Sequence, residues 1–69
     1  MGSLTESERK LIPLVVEGLT NRAMADQLYV SVHTVNTHMK HIFTKLGINS
    51  RVELTRLAIE GAISPDGAD

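Results

Sequence analysis

Four hydroxyl side chains, those of Thr5, Thr20, Ser31 and Ser50, each stand immediately ahead of a run whose apolar residues recur at helical spacing. A Ser or Thr in that place accepts a hydrogen bond from a backbone N–H of the first turn, a donor with no partner inside the helix. In Thr5-x-x-Glu8 and Ser50-x-x-Glu53 an acid three residues on is positioned to reach back to the cap. Gly18 and Gly47 close two of the runs, since glycine enters the left-handed region without a Cβ penalty. No stretch alternates apolar and polar residues as a half-buried strand would. The chain is therefore predicted to be all-α, with helices over about 6–17, 21–28, 32–46 and 51–62.

Only about three residues separate the second and third helices, which forces them into a tight, steeply angled pair, a helix-turn-helix unit. Ala25, Val30 and Val35, at spacings of five, supply the small residue at the crossing, the apolar residue of the turn and its match on the second helix. Tyr29 occupies the place in the turn where glycine is usual, so this turn lacks a residue that favours positive φ. Pro13 interrupts the first helix, where it deletes a donor and clashes with the carbonyl four residues back; a kink or a displaced start is expected.

A chain of 69 residues forms one domain. Met1, Gly2 and Ser3 are expected to be a start residue plus cloning remnant, residues 4–63 the folded domain, and residues 64–69 a flexible tail. With no cysteine there is no disulfide or thiolate metal site, and the usage suits a reducing, cytoplasmic setting. No apolar run approaches the roughly 18 residues of a membrane span. No cofactor is implied. His33, His38 and His41 lack the i, i+4 spacing of zinc-binding helices, and no metal is expected. No nucleophile, base and orienting group occur together, so no catalytic role is expected.

Residues 31–46 form a two-faced helix. Val32, Val35, Met39, Ile42, Phe43 and Leu46 fall on one side; His33, Asn36, Thr37, Lys40, His41 and Thr44 fall on the other, which holds no Asp or Glu. The net charge of −1 argues against nucleic-acid binding when taken alone. Its distribution argues the other way: between residues 30 and 56, Lys40, Lys45, Arg51 and Arg56 face Glu53 alone, a net of +3. A face of amides, hydroxyls, imidazoles and Lys suits double-stranded DNA as partner, and a merely solvated polar face is the alternative.

The longer pattern is more specific. Leu4-Thr5-x-x-Glu8-Arg9, Gly18-Leu19-Thr20-Asn21-Arg22, Ala25-x-x-Leu28, Ser31-Val32-x-Thr34-Val35-Asn36-Thr37-His38, Lys45-Leu46-Gly47 and Ser50-Arg51 together resemble the C-terminal DNA-binding domain of LuxR/FixJ-type (NarL-like) bacterial transcription regulators. The resemblance spans residues 4 to about 63. It implies a four-helix domain whose third helix enters the major groove, which binds DNA as a dimer and sits behind an N-terminal regulatory domain. This chain departs from the family pattern at Pro13, at Met24 where isoleucine is more common, and at Asn36 where many members carry lysine. The last departure bears on the base sequence preferred.

His33, Asn36, Thr37 and Lys40 occupy the first turns of the third helix, where side chains reach base edges. The resemblance favours Asn36, Thr37 and Lys40 among them. Thr20, Asn21, Arg22, Ser31, Thr34, Lys45 and Arg51 lie at helix starts or beside the third helix, where hydroxyls, free N–H groups and cations suit phosphates. For Thr20 and Ser31 capping is the plainer role, and for Lys45 and Arg51 the alternatives are a helix C-terminal dipole partner or a surface pair with Glu53. On the fourth helix Leu54, Leu57, Ala58 and Gly61 are expected to face the core, with Val52, Ile59 and Ile63 nearly opposite. Such a stripe implies a partner helix, and the resemblance names the same helix as the homodimer contact, weak in isolation. The rival reading is a helical protein-interaction module, or a sigma-factor-like element.

Overall fold

The capping hydroxyls act as their positions predict. In the computed structural model, which describes residues 4–61, they open α1 (Glu6–Val16), α2 (Asn21–Leu28), α3 (Val32–Leu46) and α4 (Arg51–Ile59). Thr5 Oγ1 accepts from Glu8 N at 3.2 Å while Thr5 N donates to Glu8 Oε1 at 2.9 Å, a complete capping box. Thr20 accepts from Ala23 N, Ser31 from Thr34 N and Ser50 from Glu53 N. The second box closes one residue further back, because Glu53 Oε1 accepts from Asn49 N at 3.3 Å.

The first three helices end alike. After α1, Leu19 N donates to Leu14 O and Gly18 N to Val15 O, with Gly18 at φ +87°. After α3, Ile48 N donates to Phe43 O and Gly47 N to Thr44 O, with Gly47 at φ +69°. After α2 the same pair of bonds runs from Val30 N to Ala25 O and from Tyr29 N to Asp26 O. There the left-handed residue is Tyr29, at φ +59°. The turn keeps the geometry that glycine favours and imposes it on tyrosine, whose side chain is 95% exposed and costs nothing in packing.

One expected displacement does not occur and one boundary differs from expectation. Pro13 lies inside α1 without displacing its start; the N–H it lacks would have bonded the Arg9 carbonyl. The fourth helix stops at Ile59 instead of near 62, because Gly61 takes φ +80° and turns the backbone out of the helix. Gly61 is exposed and contributes nothing to the core side of α4, contrary to its expected place. Residue 62, Ile63 and the tail lie outside the described residues, as do residues 1–3.

The core gathers one face of each helix: Leu11, Ile12, Leu14 and Val15 from α1, Met24 and Ala25 from α2, Val35, Met39 and Ile42 from α3, and Leu54 from α4, with Leu4 from the lead-in. Val32, Phe43 and Leu46 pack at its edge, so the apolar side predicted for the third helix is its buried side. α1 rests against both α3 and α4, and α2 rests against α3. That arrangement covers α3 from behind and leaves its polar side open.

Candidate nucleic-acid interface

His33, Asn36, Thr37 and Lys40 are all exposed on α3, as are His41 and Thr44. Thr44 Oγ1 donates to Lys40 O at 3.0 Å, so that hydroxyl is turned onto its own helix. At the helix start Ser31 Oγ and Thr34 Oγ1 lie 2.9 Å apart while Ser31 caps. Thr20 is exposed at the start of α2 and Arg22 is exposed two residues on. The capped N-termini of α2 and α3 thus lie beside the acid-free face, and a helix start is where backbone N–H groups lack intrahelical partners.

Asn21, Asn36 and Arg51 come together from three helices. Asn21 Nδ2 donates to Asn36 Oδ1 at 2.6 Å, and Arg51 Nη1 donates to Asn21 Oδ1 at 3.1 Å. Arg51 Nη2 also donates to the carbonyl of Leu19. The guanidinium is therefore tied to the turn before α2, and its remaining donors are what it could offer a phosphate. Sequence spacing gave no sign of this chain of bonds, since its members are 15 and 30 residues apart.

Lys45 is also held inward. Its Nζ lies 2.8 Å from Glu8 Oε1, and Glu8 is the one buried charged residue of the described chain, at 2% exposure. His41 Nδ1 stands 3.6 Å from the other oxygen of Glu8. Burial pushes the Glu8 carboxyl up. The hydrogen bonds from Lys45 and the Thr5 backbone and the charge of Lys45 outweigh that, leaving it below the ordinary carboxylate value. The local excess of +3 counted along the chain overlooks this acid, which reaches α3 from the first helix, and Arg56 is offset by Glu60 at 3.4 Å. Lys40 on α3 and Arg22 on α2 are exposed cations that make no ion pair among those described, and Lys10 is exposed on the α1 side of α3 near His38.

The three histidines do not converge. His33 is exposed, His41 faces Glu8, and His38 is half-buried with Nδ1 enclosed and unpartnered, in a recess shared with Lys10, Leu11 and Val30. On α4, Val52 is 77% and Ile59 71% exposed, so both visible members of the expected stripe lie bare. Beside Ile59, Pro13, Val16 and Ala58 line a shallow apolar groove between α1 and α4.

This geometry has close parallels. The family model for bacterial regulatory proteins of the luxR family matches residues 2–58. A protein of Mycobacterium tuberculosis named as an HTH-type transcriptional regulator is 53% identical over 53 residues, which are 77% of this chain and 6% of that protein. The oxygen regulatory protein NreC of Staphylococcus aureus is 42% identical over 57 residues, 83% of this chain and 26% of NreC. The crystal structure of the response regulator ChrA, of a heme-sensing two-component system, superposes with a TM-score of 0.82 at 32% identity, covering 90% of this chain and 31% of ChrA. The chain thus spans about a third or less of the length of each.

Proposed function

The chain belongs to the luxR family of bacterial regulatory proteins, as a helix-turn-helix DNA-binding domain of the transcription-regulator type, and on that premise we propose that it reads double-stranded DNA by laying α3 in the major groove. The observation that carries this reading is the open side of α3, which is free of acids and flanked by the N-termini of α2 and α3. Asn36, Thr37, Lys40 and His33 contact base edges. Thr20, Asn21, Arg22, Ser31 and Thr34 hold phosphates through hydroxyls, amides and helix N-termini, Arg51 adds the donors that Asn21 and Leu19 leave over, and Lys45 adds charge. Val52 and Ile59 form a two-fold contact between fourth helices that places two third helices about one DNA turn, roughly 34 Å, apart. The site is then an inverted repeat. The domain acts in the cytoplasm as the output of a longer regulator, in which an N-terminal domain receives the signal, and it has no catalytic part.

The direct test is a mobility shift on a duplex selected from random sequence, against a scrambled duplex of the same composition. A selected inverted repeat bound far more tightly than its scramble is the expected result. Equal retention of both, or none, would overturn the assignment and favour a protein partner for the same face.

A further inference from the structure

The bonds joining Arg51, Asn21 and Asn36 do more than tie three helices. A guanidinium offers donors only, so Asn21 must turn Oδ1 toward Arg51, and the same planar amide then directs Nδ2 at Asn36. Asn36 answers with Oδ1, which leaves its own Nδ2 as the branch directed away from α2 on an exposed face. One donor-only residue at the start of α4 thereby orients two amides. An unconstrained Asn in the major groove bonds adenine with both branches, accepting from N6 and donating to N7. With Oδ1 turned toward α2 and one of its two lone pairs engaged there, the two-branched pairing is disfavoured and the donor branch is the one left to the groove.

We infer that Arg51 and Asn21 are specificity-determining positioning residues: they hold Asn36 as a hydrogen-bond donor toward the groove, so the base it meets is one that presents an acceptor there, with guanine favoured over cytosine. Guanine presents two acceptors there, N7 and O6, whereas cytosine presents N4, itself a donor. The inference rests on the reading of α3 as the groove helix.

Asn21→Asp tests it sharply. The carboxylate still accepts from Arg51 but has no N–H for Asn36, which must rotate to donate Nδ2 to it and turn Oδ1 outward. Position 21 opens α2, where an acid suits the helix dipole, so the fold is retained. Arg51→Met severs the chain from its other end without adding charge. Wild-type chain and the variants Asn36→Ala, Asn21→Asp and Arg51→Met are titrated against the selected duplex and its single-base-pair variants, with circular dichroism on each.

One position is expected to become indifferent in Asn36→Ala. There the wild type prefers guanine over cytosine by about tenfold, Asn21→Asp reverses the order in favour of cytosine or adenine, and Arg51→Met raises adenine at least to the level of guanine. Total affinity falls in both variants, and the ratio is what is read. If Asn36→Ala leaves every base preference intact, Asn36 does not read DNA and the groove assignment fails with it. If Asn36→Ala flattens one position while Asn21→Asp and Arg51→Met leave guanine preferred there, the groove reading stands and the positioning role is overturned; a wild-type preference for cytosine there overturns it as well.

Discussion

Tyr29 carries a left-handed backbone on a side chain that touches almost nothing, and the two facts together make it replaceable. A non-glycine residue in that region costs roughly 1–2 kcal/mol, of which the greater freedom of glycine in the unfolded chain offsets about 0.5–1 kcal/mol. Tyr29→Gly is therefore expected to stabilise the domain by up to about 1 kcal/mol in urea unfolding, and a fall in midpoint would show that the turn draws support from the ring. Glu8 is the opposite case, a residue whose surroundings are built for its charge. Its carboxyl is held below its ordinary value, so the stability it supplies is present above the unfolded-state pKa of about 4.3 and is lost as pH falls through the lower folded-state value. Glu8→Gln removes that dependence, leaves Lys45 without its acid, and is expected to cost about 1–3 kcal/mol at neutral pH. The measurement is the unfolding midpoint from pH 7 down to 3, in which the variant curve should converge on that of the wild type at the acid end. Parallel curves would remove Glu8 from the account.

At the scale of the element, reading is proposed for α3 and pairing for α4. Lys40 is exposed on the open face of α3 and makes no ion pair among those described, so Lys40→Ala is expected to cost about 1–3 kcal/mol on the selected site and much less on scrambled DNA. Equal losses on both would assign Lys40 to the backbone. α4 contributes Leu54 alone to the fully buried core, while Val52 and Ile59 face outward. Ile59→Glu is expected to spare helicity and to weaken cooperative filling of the two half-sites. Unchanged cooperativity would separate the bare stripe from pairing.

Taken whole, the molecule is slightly acidic and yet α3 presents an acid-free face, while among the described acids Glu8 is buried against Lys45 and Glu53 and Glu60 serve a cap and a pair. Affinity for DNA should then fall with added salt by about 0.9 logarithmic units per neutralised phosphate for each tenfold rise. A slope near zero would mean that the helix termini and the few exposed cations do not meet phosphates. One short helix from each side covers less than the roughly 1,200 Å² of a standard interface, so sedimentation should find the free domain monomeric, with pairing appearing on DNA.

The number of helices, their starts at Thr5, Thr20, Ser31 and Ser50, and the buried side of α3 were all legible along the chain, because caps and helical periodicity are local and act within a few residues. So was the family pattern, which is itself a string of such local signals. Only the fold decided that Lys45 meets Glu8, that Gly61 leaves the fourth helix, that Tyr29 bears the strain of the turn, and that Arg51 reaches Asn36 through Asn21. Those contacts join residues up to 37 positions apart or depend on backbone angles that neighbours impose. Residue type states what a side chain can donate or accept; which partner it finds depends on how the helices cross.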